Sequence, residues 1–315
     1  MKFRFFLFLL MIALVNLPAS ALKVVTTIPP LYGLAQGVLE GAYQSECLIK
    51  GNVSPHAFSL SPQQRALLED ADVIIWMGAD LEPSLVKVMA QEGKSKTVIT
   101  VLDLENLDLL EMRHGHEEHH HHGHHHHGRL DPHVWLSPEN AKVIAAYLTE
   151  FFVEHLPRDN SDVRNQMQKN GQKLLRDIEA LDEELEKKLA PFKQVPFVAF
   201  HDSLQYIEKS YGLAYRGAIY VDPELPLGAR RLQETMERVK TENIKCIFAE
   251  TQFPDDIVQK IASEAGVYIG RLDPLGGDLL ESEGNVYINL MQRLGDDIAK
   301  CLRKADETPK NRRSS

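Results

Sequence analysis

Between residues 161 and 189 the chain carries one uninterrupted amphipathic stripe, and no other feature limits its possible folds as much. Val163, Met167, Leu174, Ile178, Leu181, Leu185 and Leu189 recur mostly at three- and four-residue steps, with charged residues between them. That spacing describes a single helix of about 30 residues, roughly 45 Å long at 1.5 Å per residue. A coiled-coil seam is the rival reading, but the stripe is short for one. The helix is therefore expected to brace two parts of one chain. On either side of it, apolar β-branched runs alternate with helical segments. Strands are predicted at 22–28 (closed by Pro29-Pro30), 45–50, 73–77 and 97–102, with helices at about 61–70, 82–91 and 137–154. After Pro191 the alternation restarts, with strands at 197–200, 214–220, 245–248 and 267–272 and helices at 204–211, 229–240, 255–265 and 286–302. Strands alternating with helices make parallel sheets. The predicted fold class is α/β: two similar lobes, each a mostly parallel β-sheet flanked by helices, joined by one long backbone helix. Boundaries follow at 22–157 for the N-terminal lobe, 158–190 for the linking helix and 191–303 for the C-terminal lobe, with a polar, disordered tail at 304–315.

The N-terminal end lies outside this fold. Lys2 and Arg4 precede an apolar run from 5 to 17, and Ala19-Ser20-Ala21 forms a small-residue cleavage site. This is the pattern of a secretory signal peptide at 1–21, cleaved after Ala21. No cysteine lies near the cut to take a lipid anchor, and no later stretch approaches the roughly 18 apolar residues of a spanning helix. The net charge of −10 becomes −12 once Lys2 and Arg4 are removed. An acidic surface argues against nucleic acid and anionic membranes as partners and favours cations. Of the three cysteines, Cys47, Cys246 and Cys301, an exported protein is expected to oxidise one pair. Joining Cys246 to Cys301 would fasten the last helix to its sheet and leave Cys47 as a small buried apolar residue, although spacing leaves other pairings open.

Fourteen histidines fall into two groups. His114, His116, His119, His120, His121, His122, His124, His125, His126 and His127 crowd into a segment with glycine and glutamate and no hydrophobic period. This reads as a flexible surface loop over about 111–130 that binds divalent metal weakly and at several places. His155 ends a helix, where a cationic ring suits the dipole. The remaining three sit in loops beside element ends: Ser54-Pro55-His56, Asp131-Pro132-His133 and Phe200-His201-Asp202. Asp273, in Leu272-Asp273-Pro274-Leu275-Gly276, follows the last strand in the same way. Ligands of doubly wound sheets collect at the carboxyl ends of strands. Each histidine alone reads as an ordinary loop residue; together, two from one lobe and one from the other point to a metal site in the inter-lobe cleft.

The stretches Pro55-His56-Ala57-Phe58-Ser59-Leu60-Ser61-Pro62, His133-Val134-Trp135-Leu136-Ser137-Pro138-Glu139, Phe200-His201-Asp202, Phe248-Ala249-Glu250 and Leu272-Asp273-Pro274-Leu275-Gly276 resemble, in order, the metal-specific substrate-binding proteins of ABC transporters, and among them the periplasmic zinc-uptake members. The internal His-rich loop falls where zinc-specific members carry theirs, and Cys246 and Cys301 match the positions of that group's disulfide. The resemblance implies metal ligands at His56, His133 and His201 and lobes held to small relative movement. It further implies a zinc-carrying, non-catalytic monomer in the periplasm that hands Zn2+ to an inner-membrane permease with its cytoplasmic ATPase. Some members carry a glutamate just before the first ligand; here that position is Pro55, which leaves water or Asp273 for the fourth place. Three imidazoles with at most one carboxylate suit tetrahedral zinc. Manganese-binding relatives replace the third histidine with a carboxylate, so a carrier of manganese or another divalent metal is the alternative within the family. A zinc-dependent hydrolase is the alternative outside it. No H-E-x-x-H helix supplies its base, and the nearest candidate bases, Asp202 and Glu250, read as partners or caps.

Overall fold

The computed structural model describes residues 22–113, 130–155, 161–220 and 222–307. The expected signal peptide and all ten histidines of the 114–127 run lie outside these residues. The first lobe builds a sheet from β1 (Val24–Thr26), β2 (Ser45–Cys47), β3 (Val73–Trp76) and β4 (Thr97–Thr100), ordered β2-β1-β3-β4 with every pair parallel. Helices α1 (Pro29–Leu39), α2 (Pro62–Asp70), α3 (Val86–Glu92) and α4 (Pro138–His155) accompany it. The second lobe repeats the plan with β5 (Phe197–His201), β6 (Tyr215–Tyr220), β7 (Cys246–Glu250) and β8 (Tyr268–Leu272), ordered β6-β5-β7-β8 and again all parallel. Its helices are α6 (Gln205–Tyr211), α7 (Ala229–Thr241), α8 (Asp256–Ala265) and α9 (Val286–Glu307). Between the lobes runs α5 (Ser161–Leu189), which buries Met167, Leu174, Ile178, Leu181, Leu185 and Leu189 of the stripe read from sequence, with Val163 half-buried at its start.

Several element ends differ from the sequence expectation for identifiable reasons. Pro29 and Pro30 do more than close β1: they occupy the first positions of α1, where a missing N–H costs nothing. The run at 97–102 divides, because Val101–Asp103 tighten into a 3-10 turn. The last helix does not give way to a tail at 304. It continues to Glu307, because Ala305 is still buried against the core.

Strand alternation assigns side chains to two apolar layers. In β5, Phe197 and Ala199 face the main core while Val198 and Phe200 face a smaller one; in β7, Cys246 and Phe248 part in the same way from Ile247 and Ala249. The main core runs unbroken from the first sheet through α1, α4, α5 and α9 to the inner face of the second sheet. Helix α1 of the first lobe packs on α9 of the second so closely that a Cβ at Gly33 would sit 2.3 Å from Tyr287 N. Cys246 and Cys301 form a disulfide, with Cα atoms 6.0 Å apart, that ties β7 to α9. Cys47 is a free, buried cysteine whose thiol burial pushes up to about 12.

Candidate metal centre

His201 is the last residue of β5, a central strand, so its ring emerges at the carboxyl edge of the sheet, where loops converge. His133 is placed by Asp131, whose Oδ1 accepts the backbone N–H of His133 at 3.0 Å and so closes a local turn. Residues Val134–Leu136 then form a 3-10 turn, and Ser137 Oγ accepts from Asn140 N at 3.3 Å where α4 begins. His56 stands on the loop between β2 and α2. That loop ends in a capping box, with Ser61 Oγ accepting from Gln64 N at 3.3 Å and Gln64 Oε1 accepting from Ser61 N at 3.0 Å. Its start is fixed by Gly51, at φ 71°, pressed against Gly277 of the other lobe: a Cβ on Gly277 would lie 2.1 Å from Gly51 O.

These two loops and the end of β5 bring His56, His133 and His201 together. One ring nitrogen from each lies within 4.8 Å of the other two. Ring centroids are 5.3–5.7 Å apart, and Nε2 of His133 is 3.4 Å from Nε2 of His201. His133 and His201 are buried at 5% and 4% exposure, while His56 is partly exposed, so the site opens on the His56 side.

Behind the two buried rings stand carboxylates. Asp131 Oδ1 lies 2.8 Å from His133 Nδ1, and Glu250 Oε1 lies 2.7 Å from His201 Nδ1. The second is a close charge–ring approach rather than an aligned hydrogen bond, since His201 Nδ1 has no aligned acceptor. Such partners hold the proton on Nδ1 and leave the Nε2 lone pair free toward the cleft, which makes the ring a better ligand. Burial by itself would lower the His201 pKa; the charges of Glu250, Asp202 and Asp131 outweigh it and hold the ring above its ordinary value of 6.5.

Asp273 is not in this group. Its Oδ1 accepts from Leu275 N, Gly276 N and Gln252 Nε2 at 3.0, 2.9 and 2.7 Å, and its Oδ2 pairs with Arg293 Nη2 at 3.0 Å. The two candidate bases are also engaged. Asp202 Oδ1 accepts from Tyr215 OH at 2.9 Å and faces Arg113 at 3.4 Å, while Glu250 Oε1 faces His201 and accepts from Ser203 Oγ at 3.3 Å. His155 ends α4 as expected, its Nδ1 2.9 Å from Phe151 O.

Two partners escaped the sequence reading. Asp131 reads as an ordinary turn former, although an aspartate two residues before a candidate ligand is a usable signal. Trp135 looks like a core aromatic, yet it lies beside the His133 ring and donates through Nε1 to Pro274 O, 2.9 Å away in the other lobe.

Residues 24–301 match the family model described as "ZnuA: Zinc-uptake complex component A periplasmic". The high-affinity zinc uptake system protein ZnuA of Brucella abortus (strain 2308) is 32% identical over 286 residues, covering 81% of this chain and 84% of that protein. A crystal structure of ZnuA superposes with a TM-score of 0.74 at 26% identity, over 90% of this chain and 99% of that one. The periplasmic zinc-binding protein TroA from Treponema pallidum, at 22% identity, shares the fold with a TM-score of 0.76 over 90% of this chain and 99% of its own. No helix among the described residues is long and apolar enough to cross a membrane. By these matches the chain belongs to the ZnuA family of zinc-binding periplasmic components of ABC transporters.

Proposed function

We propose that this chain captures Zn2+ in the cleft between its lobes, on His56, His133 and His201, and delivers it to an inner-membrane permease driven by a cytoplasmic ATPase. The observation that carries this reading is the convergence of three imidazole nitrogens within 4.8 Å of one another, from two loops of one lobe and a strand end of the other. Three nitrogens and no carboxylate in the donor set favour zinc over manganese, which prefers oxygen. The fourth position goes to water, because both oxygens of Asp273 are already engaged. Among the described residues, Asp202 is held by Tyr215 and Arg113 and Glu250 faces His201 and Ser203 through Oε1, so both serve as partners of the site, which supports a carrier rather than a hydrolase. The ten histidines at 114–127 act as an accessory store of weaker sites, and the exported chain works as a free periplasmic monomer cut after Ala21. The lobes correspond to 22–157 and 191–303, joined through 158–190.

Competition against a zinc chelator tests the ligand set. His201→Ala should weaken the tight site by more than about 100-fold, beyond the 10–100-fold typical of residues behind a ligand. Deleting 114–127 should lower the zinc stoichiometry and leave one tight site. Unchanged affinity in His201→Ala would remove that residue from the site, and loss of all tight binding on deletion would move the site to the loop.

A further inference from the structure

Three imidazoles fill three corners of a tetrahedron, and Asp273 is engaged elsewhere, so the fourth corner needs another neighbour. Gln252, two residues beyond β7, lines the same small cavity as His56, His133 and His201. Its Nε2 donates to Asp273 Oδ1 at 2.7 Å. An ionised carboxylate has only lone pairs to offer, so the amide must present its nitrogen there and turn its oxygen the other way. The anchor is firm, since the same Asp273 is held by two backbone N–H groups and by Arg293. Gln252 Oε1 is buried and finds no hydrogen-bond partner among the described residues. Folded proteins keep few such atoms, because an unsatisfied buried carbonyl oxygen destabilises the fold, and each one calls for a reason.

We propose that Gln252 Oε1 serves the fourth position of the captured ion by accepting a hydrogen bond from the water bound there. Asp273 then acts through Gln252, as a positioning residue rather than a ligand. The inference rests on the three-histidine reading above. Zinc polarises the O–H bonds of its water and makes it a strong donor, and an acceptor fixed in place orients that water and favours a four-coordinate ion. A neutral amide oxygen is a poor zinc ligand beside nitrogen, sulfur and carboxylate, which places it behind the water. The histidines alone would leave the open corner to whatever solvent arrives.

The test compares zinc affinities, by chelator competition, of wild type, Gln252→Leu, Asp273→Asn, the double variant and a His201→Ala control. Melting of each metal-free protein and the visible spectrum of each Co2+-loaded protein are read alongside. Leucine removes the unsatisfied oxygen at similar volume, so metal-free Gln252→Leu should melt no lower than wild type while binding zinc about tenfold more weakly. Its Co2+ spectrum should keep the tetrahedral form, because water stays bound. Asp273→Asn should also weaken zinc binding, and the double variant should be no weaker than the weaker of the two singles. Wild-type affinity in Gln252→Leu, or fully additive losses in the double variant, would overturn the proposal. A changed coordination geometry in Gln252→Leu would make the amide a direct ligand and overturn the water-mediated contact. Wild-type affinity in His201→Ala would instead sink the three-histidine reading.

Discussion

His133 and His201 each set one ring nitrogen against a carboxylate and leave the other for the cleft, and that division of labour makes the Asp131 charge testable. In Asp131→Asn the side chain can still accept from Nδ1, so the ring keeps its place but loses the carboxylate charge behind it. Zinc affinity should fall about 10–100-fold with the protein still folded. An unchanged affinity would mean that Asp131 only shapes the turn. The three proposed ligand positions stand out in the sequence because each histidine sits where a loop meets an element end, and loops at strand ends converge. Asp273 stands in the same kind of place and reads identically, but its oxygens close a turn and pair with Arg293. Sequence position gives the neighbourhood of a side chain and not its hydrogen bonds. For the same reason Gln252 was invisible, since an amide two residues past a strand carries no pattern of its own.

At the scale of elements, long periodic segments were the readable ones. The α5 stripe appears where its spacing puts it, and the second-lobe strands fall within a few residues of expectation, because β-branched runs bounded by helices admit few alternatives. Helix α1 was missed: Pro29-Pro30 marks the end of a strand and the start of a helix equally well, and packing against α9 decides. One element end carries a titration. Glu82, with 0% exposure, accepts the N–H of Met77 through Oε2 at 2.8 Å and so pins the turn that leaves β3. Burial pushes its carboxyl from 4.5 up to about 7, against the opposing pull of Thr27 and the N–H groups of Met77 and Gly78. A folded pKa above the unfolded one contributes stability that is complete below about 4.5 and lost as pH rises through about 7. Glu82→Gln is neutral throughout. By denaturant unfolding of the metal-free protein it should exceed wild type by on the order of 3 kcal/mol at alkaline pH, with the gap closing below about 7. A pH-independent difference would show that the ionised form is not what the burial penalises.

Across the whole molecule, the lobes share one continuous core, and α1, α5 and α9 run through it. They are also bolted together beside the site, with Trp135 donating to Pro274 O, Tyr287 OH donating to Trp135 O at 3.0 Å, and Tyr206 OH accepting from Leu110 N at 3.0 Å. A molecule joined this way holds the buried His133 and His201 rings in register across the lobes, and of the three rings His56 has the freest path to solvent. Composition announced a metal handler through the ten histidines at 114–127, yet the specific site proposed above lies with three others that are far apart in the chain. Anomalous diffraction at the zinc edge from zinc-loaded crystals tests that assignment most directly. The strongest peak should lie about 2.0–2.1 Å from one ring nitrogen of each of His56, His133 and His201. A strongest peak elsewhere, or one bound by the Asp273 carboxylate in place of any of these rings, would contradict it.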